Sequence, residues 1–235
     1  MTFDVPSSAY ARFMGRYSAP LAVELVALVG LSAGQRALDV GCGTGALTDV
    51  LVQRLAVADV AAVDPSESFV AALAERLPGL DVRRAAAEQL PFPDETFDRT
   101  LAQLVVHFMS DPVAGLAEMA RVTRPRGIVA ASVWDHAGGQ GPLATFWRAV
   151  RDLDPTAQDE SALAGTSEGH LAELFSAAGM PAATSTQLVA RVGHPDFEEW
   201  WEPFTLGVGP AGAYVARLDD ERRDALRERC RELMP

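Results

Sequence analysis

Three closely spaced glycines follow a short apolar run and form the most informative segment of this sequence. The run at residues 37–40 leads into Gly41, Gly43 and Gly45, and apolar residues at helical spacing begin at Leu47. Glycines permit a tight turn and let a ligand touch the backbone, while a helix N-terminus offers free N–H donors. Residues 41–46 also match the dinucleotide fingerprint G-x-G-x-x-G/A, so the glycines alone do not select a cofactor.

A carboxylate follows the next apolar run. Asp64 comes twenty-three residues after Gly41 and directly after the run at residues 58–63. A carboxylate at the end of a buried strand can accept hydrogen bonds from both hydroxyls of a ribose. The glycine loop and Asp64 together predict an adenosine-containing ligand.

Five segments in a fixed order carry a family resemblance. They are D-V-G-C-G-T-G at 39–45, V-D-P-S at 63–66, A-E-Q-L-P-F at 87–92, F-D at 97–98 and R-V-T-R-P-R-G-I at 121–128. In this order and spacing they resemble class I S-adenosylmethionine-dependent methyltransferases, in particular the small-molecule group that includes the ubiquinone and menaquinone biosynthesis enzymes. The resemblance spans residues 37–134, and F-M-G-R-Y-S at 13–18 also resembles an N-terminal segment of some members.

The resemblance implies a role for each matching residue. It places the glycine-loop backbone against the methionine part and ribose of S-adenosylmethionine, a carboxylate on the ribose, and further residues around the adenine. The residues implied for these contacts are Gly41, Cys42, Gly43 and Gly45 in the loop, Asp64 at the ribose, and Pro65, Ala87 and Glu88 at the adenine. Gln103 would lie near the methyl group and Arg16 at the methionine carboxylate, whereas Asp39 would order the loop by accepting from its N–H groups.

The implied activity is transfer of a methyl group to a small-molecule acceptor by in-line displacement, which makes the protein an enzyme. Positioning of the acceptor behind the methyl group would supply most of the catalysis, up to roughly 7 to 11 kcal/mol for an ideally oriented pair. The sequence does not choose between oxygen, nitrogen and carbon acceptors. Two other classes stay open, an NAD-dependent oxidoreductase, because of the loose glycine match, and a non-catalytic module that keeps the cofactor pocket.

Several aromatic and histidine residues are candidates for the acceptor site. His107 follows the fourth predicted strand at the sheet edge where ligands bind in open α/β sheets, so it is the best general-base candidate, with a core histidine as the alternative. His136 follows the fifth predicted strand in the same way. The further candidates are Tyr10 and Tyr17 for closing over the methyl group, and Trp134, Trp200, Trp201 and Phe204 for lining an apolar acceptor pocket or filling a core.

Composition excludes several other classes of protein. Twenty arginines and no lysine face thirty-two acidic residues in a chain of 235 residues, and the net charge of −12 disfavours nucleic acid and anionic lipid as partners. Cys42 and Cys230 lie too far apart in sequence to build a disulfide framework, and the four histidines lack metal-ligand spacing. With no apolar run of membrane-spanning length and no signal peptide, we expect a cytoplasmic protein without membrane insertion.

Alternating apolar runs predict the fold class. Short runs rich in Val, Leu and Ala suit strands buried on both faces, and the segments between them have the apolar spacing of helices. The predicted strands are 36–40, 59–63, 80–85, 97–103, 128–134 and 184–192. This alternation predicts an α/β, doubly wound, mostly parallel Rossmann-like sheet with helices on both faces.

The chain is predicted to be one domain with three regions. Residues 1–35 form an N-terminal helical segment, 36–134 the cofactor-binding core, and 135–235 a lid or insertion followed by C-terminal elements. Within the last region, the polar and weakly periodic stretch up to Gly169 predicts an insertion or lid, and Asp219 and Asp220 begin a C-terminal helix. The seventh strand of the resembled family is missing, so we expect either a rearranged sheet edge or a natural C-terminus beyond Pro235.

Overall fold

A parallel five-stranded sheet forms the centre of the molecule in a computed structural model that describes residues 11–234. The strands are β1 (Ala37–Val40), β2 (Val60–Asp64), β3 (Asp81–Arg84), β4 (Phe97–Gln103) and β5 (Thr123–Ser132). Their order across the sheet is β3-β2-β1-β4-β5, and all four neighbouring pairs are parallel. The chain therefore winds outward in both directions from β1, and the predicted doubly wound fold is confirmed.

Nine α-helices accompany these strands in the described part of the chain. They are α1 (Arg16–Val29), α2 (Ala46–Arg54), α3 (Glu67–Arg76), α4 (Pro112–Val122), α5 (Ala144–Leu153), α6 (His170–Ala177), α7 (Phe197–Trp201), α8 (Gly209–Val215) and α9 (Asp220–Leu233). Short 3-10 segments occur at Val57–Asp59, Val106–Phe108, Glu160–Ala162 and Glu202–Leu206, and a short π-helical segment at Ala11–Gly15 precedes α1.

The two faces of the sheet pack on different helices because side chains alternate along each strand. Ala37 of β1 packs with the apolar residues of α1 and α2, whereas Leu38 and Val40 pack with those of α4 and with Phe175 of α6. All residues of β1 and β2 are buried. This burial on both faces explains why these strands read as continuous apolar runs in the sequence.

The prediction of a sixth strand at residues 184–192 is wrong. Residues 183–193 have no regular secondary structure, and most of their side chains are exposed, including Val189 at 55%. The Val, Thr and Leu content of this segment favours an extended conformation, but strand formation also needs a partner edge, and this segment pairs with no described strand. The described sheet consequently ends at β5, with neither a sixth nor a seventh strand.

The stretch before Gly169, predicted as an insertion or lid, holds regular secondary structure. It contains helix α5, whose Phe146, Trp147 and Val150 are buried in a second apolar core with the aromatic residues of α7. Helix α9 closes this core through the buried Leu226 and Cys230. Its start agrees with the prediction, because the Asp219 side chain accepts a hydrogen bond from the Arg222 amide and caps the helix.

Candidate functional site

A cavity of about 560 Å³ lies at the carboxyl ends of β1, β2 and β4, where the strand order reverses. This switch point is where open α/β sheets bind ligands. The sequence-predicted residues that line it are Asp39, Gly41, Cys42, Gly43, Asp64, Pro65, Ala87, Glu88 and Gln103. Two predicted contacts, Arg16 and Gly45, are not among its lining residues.

Asp64 connects the two loops that form the floor of the cavity. Its Oδ2 accepts a hydrogen bond of 2.9 Å from the Gly43 amide, and its Oδ1 accepts one of 2.8 Å from the Ser66 amide. The amides of Gly41 and Cys42 both donate to the carbonyl of Val63. An ionised carboxylate has about four acceptor positions, so each Asp64 oxygen keeps capacity for a ligand.

The predicted role of Asp39 as the residue that orders the loop is corrected. Its Oδ2 accepts from the Thr48 hydroxyl at 2.6 Å, which ties β1 to α2, whereas the loop amide of Gly43 is held by Asp64. Loop geometry explains the exchange of roles. The chain turns away from β1 after Val40, and the Gly43 amide therefore faces the end of the neighbouring strand.

Gly45 supports the turn and does not face the cavity. It lies at the start of α2 with φ +92°, and a Cβ at this position would meet the Arg76 guanidinium and the Leu73 side chain. Gly43 differs, because a Cβ there would meet no atom within 4 Å. The backbone of Gly43 is thus open toward the cavity that it lines.

The lining of the cavity carries more acidic than basic side chains. Its charged lining residues are Asp39, Asp64, Glu67, Glu88 and Arg84, and Arg84 is paired with Glu67. Burial raises the pKa of Asp39 to about 7, although the Thr48 hydrogen bond opposes this. Burial also raises the pKa of Asp64, against the hydrogen bonds from Ser66 and Gly43. A cation bound here would favour the ionised form of both carboxyl groups.

Glu88 lines the cavity but its carboxylate also holds a neighbouring loop. Its Oε1 accepts from the amides of Ser110 and Asp111, at 2.7 and 3.1 Å. These residues precede α4, so Glu88 fixes the loop that closes this side of the cavity.

Arg16 lies in a polar cluster beside the cavity. Its Nη1 is 2.5 Å from Glu199 Oε1 and 3.1 Å from His194 Nδ1. The guanidinium is therefore paired within the protein and is not among the cavity-lining groups. The contact of Arg16 with the methionine carboxylate stays a prediction. The next-but-one residue, Ser18, does line the cavity, and its carbonyl accepts from Gln103 Nε2 at 2.9 Å.

The structure does not support His107 as the general base. Its side chain is buried against Phe108, with ring centroids 4.0 Å apart, and it is not among the cavity-lining residues. Burial, and secondarily His136, lowers its pKa to about 3. An imidazole with so low a pKa is a weak base at neutral pH. His136 is half-buried, and its ring centroid lies 6.2 Å from that of His107. Burial lowers the pKa of His136 as well.

The remaining candidates divide between core and site. Trp200, Trp201 and Phe204 are buried in the second core and fill it, whereas Trp134 is half-buried beside Tyr17, with 6.5 Å between their ring centroids. Tyr10 lies outside the described residues. Both cysteines are free and buried, and burial raises the pKa of the Cys42 thiol, which disfavours a thiolate.

Sequence reasoning missed several lining residues. They are Ser18, Thr44, Ala46, Leu47, Ser66, Glu67, Ser68, Phe69, Arg84, Ala85, Ala86, Leu104, Val105, Phe108, Met109 and Ser110. Most of them directly follow or precede the predicted loops at the carboxyl ends of strands. Their position after a strand was the available signal, because parallel strands bring these loops to one edge of the sheet.

Comparison with known families identifies the segment that carries this cavity. The methyltransferase domain family matches residues 38–131. These residues include the glycine loop, Asp64, Glu88 and Gln103. This segment of the chain is therefore similar to methyltransferase domains.

Solved structures share the fold of residues 38–131 and of the helices around them. An S-adenosylmethionine-dependent methyltransferase from Aquifex aeolicus superposes with a TM-score of 0.57 at 23% identity, over 76% of this chain and 89% of that one. The YcgJ protein from Bacillus subtilis gives a TM-score of 0.56 at 22% identity, over 87% and 86% of the two chains. These similarities establish a methyltransferase-type Rossmann-like fold.

Curated relatives of the methyltransferase domain act on different acceptors. The chain is 32% identical over 61% of its length to a malonyl-acyl-carrier-protein O-methyltransferase from Serratia marcescens, covering 58% of that protein. It is 35% identical over 52% of its length to a phosphatidylethanolamine N-methyltransferase from Cereibacter sphaeroides, covering 62%. The chain is 35% identical over 52% of its length to a demethylmenaquinone methyltransferase from Renibacterium salmoninarum, and the match covers 51% of that protein. The chain therefore spans about half to three fifths of the length of these relatives.

Within residues 11–234, no three or more His, Cys, Asp and Glu side chains are grouped so that they could hold a metal ion. None of the described helices is both long and apolar enough to cross a membrane.

Proposed function

We propose that this protein transfers a methyl group from S-adenosylmethionine to a small-molecule acceptor. The observation that carries the proposal is the acidic cavity at the point where the strand order reverses, with the glycine loop and Asp64 at its floor. Its volume of about 560 Å³ lies within the range of pockets that bind cofactor-sized ligands.

The lining residues fit this cofactor. The open space beside Gly43 lets a ligand approach the backbone, and the free acceptor capacity of Asp64 suits ribose hydroxyls. Pro65, Ala87 and Glu88 would border the adenine, and Gln103 would lie toward the methyl group. When bound, S-adenosylmethionine supplies an electrophilic methyl group on a positively charged sulfur.

Charge favours this cofactor over a dinucleotide. Four acidic side chains and a single guanidinium line the cavity, so a cationic ligand gains electrostatic stabilisation there while a pyrophosphate is repelled. The protein's own contribution to catalysis would be to bind, orient and shield the reacting groups from water.

A calorimetric titration separates the two cofactor classes. We expect S-adenosylhomocysteine to bind the wild-type protein with one site per chain and NADH to give no binding heat. Binding of NADH in preference to S-adenosylhomocysteine would overturn the proposal and favour an oxidoreductase.

A further inference from the structure

Four buried polar atoms at one edge of the sheet have no hydrogen-bond partner. They are Gln103 Oε1, His107 Nδ1, Ser132 Oγ and Trp134 Nε1, the full set of such side-chain nitrogens and oxygens among residues 11–234. All four belong to residues at or just beyond the carboxyl ends of β4 and β5. Native proteins leave few buried polar groups unpaired, so their concentration at this edge indicates contact with a polar ligand.

Tyr17 lies at the same edge. Its ring stands at 86° to that of Trp134, with centroids 6.5 Å apart. It directly precedes Ser18, which lines the cavity and is hydrogen-bonded to Gln103. Tyr17 therefore lies beside Trp134 and next in sequence to a residue of the cavity lining.

The Tyr17 hydroxyl is linked to a histidine and a carboxylate. It lies 3.1 Å from His194 Nε2, while Glu199 Oε2 lies 2.8 Å from His194 Nδ1. The hydrogen bond from His194, together with the Arg16 guanidinium, lowers the pKa of Glu199, so this carboxylate is ionised at neutral pH. An ionised carboxylate can only accept, and His194 Nδ1 must therefore carry the proton.

This tautomer sets the direction of the other hydrogen bond. In the neutral imidazole Nε2 then has a lone pair, and the Tyr17 hydroxyl donates to it. Arg16 donates to Glu199 Oε1, because a protonated Nδ1 cannot accept from it. The Tyr17 oxygen keeps its lone pairs for a ligand that donates a proton.

We propose that Tyr17, His194 and Glu199 form a proton relay that deprotonates a hydroxyl acceptor bound at the carboxyl ends of β4 and β5. The inference rests on the proposed methyl transfer and adds the acceptor class. Trp134 Nε1 and Gln103 Oε1 offer a donor and an acceptor to further polar atoms of the same molecule. Tyr17 is the catalytic residue of the relay, and His194 and Glu199 act through it.

Atoms, protons and electron pairs are all accounted for in the proposed methyl transfer. As the acceptor oxygen forms its bond to the methyl carbon, the carbon–sulfur bond breaks and its electron pair stays on sulfur. The acceptor hydroxyl gives its proton to Tyr17 Oη, and Tyr17 gives its own proton to His194 Nε2. The resulting imidazolium is stabilised by the ionised Glu199. An amine would not need this relay, because it attacks with a free lone pair and loses its proton afterwards.

A panel of phenols tests the relay through acceptor acidity. Wild type, Tyr17→Phe and His194→Gln are assayed by mass spectrometry at about pH 8 with 4-nitrophenol, phenol, 4-methoxyphenol and benzylamine. We expect both variants to lower kcat by about 10²- to 10⁴-fold for phenol and 4-methoxyphenol. We expect kcat for 4-nitrophenol to fall only a few-fold, because this phenol is already ionised, and KM to change little for all phenols. His170→Gln is the matched control, because His170 lies on α6 away from the relay, and it should retain the wild-type rates.

Two measurements without turnover accompany the assay. Nitrogen-15 NMR of the ligand-free wild type should show His194 as the Nδ1-protonated tautomer, and both variants should bind S-adenosylhomocysteine as wild type does. The relay would be overturned by an Nε2-protonated His194 or by an equal loss of kcat on all phenols. It would also be overturned if wild type bound S-adenosylhomocysteine but turned over only benzylamine, or no phenol at all. Failure of the wild type to bind S-adenosylhomocysteine would instead overturn the proposed function beneath it.

Discussion

The Asp64 carboxylate and the Gly43 amide are joined by a 2.9 Å hydrogen bond across the carboxyl ends of two neighbouring strands. One side chain thereby holds the glycine loop in place and keeps acceptor capacity for a ligand in the same cavity. Under the proposed function, loop order and cofactor affinity would be coupled through this single residue.

Substitution of Asp64 by Asn should weaken binding of S-adenosylhomocysteine by roughly 1.5 to 3 kcal/mol, the range for hydrogen bonds to a charged group. This corresponds to an increase in Kd of about 10- to 150-fold, measurable by calorimetry. Asp59→Asn is the matched control, since Asp59 immediately precedes the opposite end of β2. Equal affinities for the Asp64 variant and wild type would remove Asp64 from the binding site.

Cofactor binding should release protons near neutral pH. Because burial raises the pKa of Asp39 to about 7, this carboxyl is partly protonated at pH 7, and a bound cation should ionise it. Titration of S-adenosylmethionine in two buffers of different ionisation enthalpy should show release of up to about half a proton in wild type. Asp39→Asn should reduce this release. Binding heats that do not depend on the buffer in wild type would contradict the prediction.

Gly45→Ala should destabilise the protein more than Gly34→Ala. Both glycines have positive φ, +92° and +83°, so both substitutions carry backbone strain. Only at Gly45 would the new methyl group lie 2.6 Å from Leu73 Cδ1 and displace Arg76, which donates to the Thr44 carbonyl. We expect an additional loss of about 1 to 3 kcal/mol in the free energy of unfolding, measured with urea. Equal losses for the two variants would show that the neighbours of Gly45 relax freely.

Glu160→Gln should change how stability depends on pH. Burial raises the pKa of Glu160 to about 7 from a usual 4.5, although Trp147 Nε1 donates to its carboxylate at 2.7 Å. The folded state therefore holds a proton more tightly than the unfolded state, and wild type loses stability as the pH rises from about 4.5 to 7. The loss is up to about 3 kcal/mol.

Glutamine keeps a hydrogen-bond acceptor for Trp147 without the charge, so the variant should lose less stability over this range. Urea unfolding at several pH values measures the difference, and Glu173→Gln, on the exposed side of α6, serves as control. A variant whose stability falls in parallel with wild type would show that Glu160 is not the group responsible.

The strands and loops of the cofactor side could be predicted because local sequence determines them. Buried parallel strands read as apolar runs, and the glycines at 41, 43 and 45 all adopt positive φ. The positions of β1, β2 and β4 and of the cavity follow from those two signals, whereas β3 is partly exposed and β5 begins at Thr123, five residues before its predicted start.

The C-terminal region was less predictable because its structure depends on contacts distant in sequence. Residues 184–192 have the composition of a strand but no partner, and the weakly periodic stretch before Gly169 did not reveal helix α5, whose buried residues pack against α7. The cluster of Arg16, Tyr17, His194 and Glu199 joins residues more than 170 positions apart. No local pattern marks such a cluster.

Hydrogen exchange tests the central claim most directly, because it reports where the cofactor binds. On addition of S-adenosylhomocysteine, we predict slower amide exchange at residues 41–47, 64–69 and 87–88, which line or adjoin the cavity, and unchanged exchange along α9. Protection confined to another surface, or none at ligand concentrations that saturate binding, would contradict the placement of the cofactor at the glycine loop and Asp64.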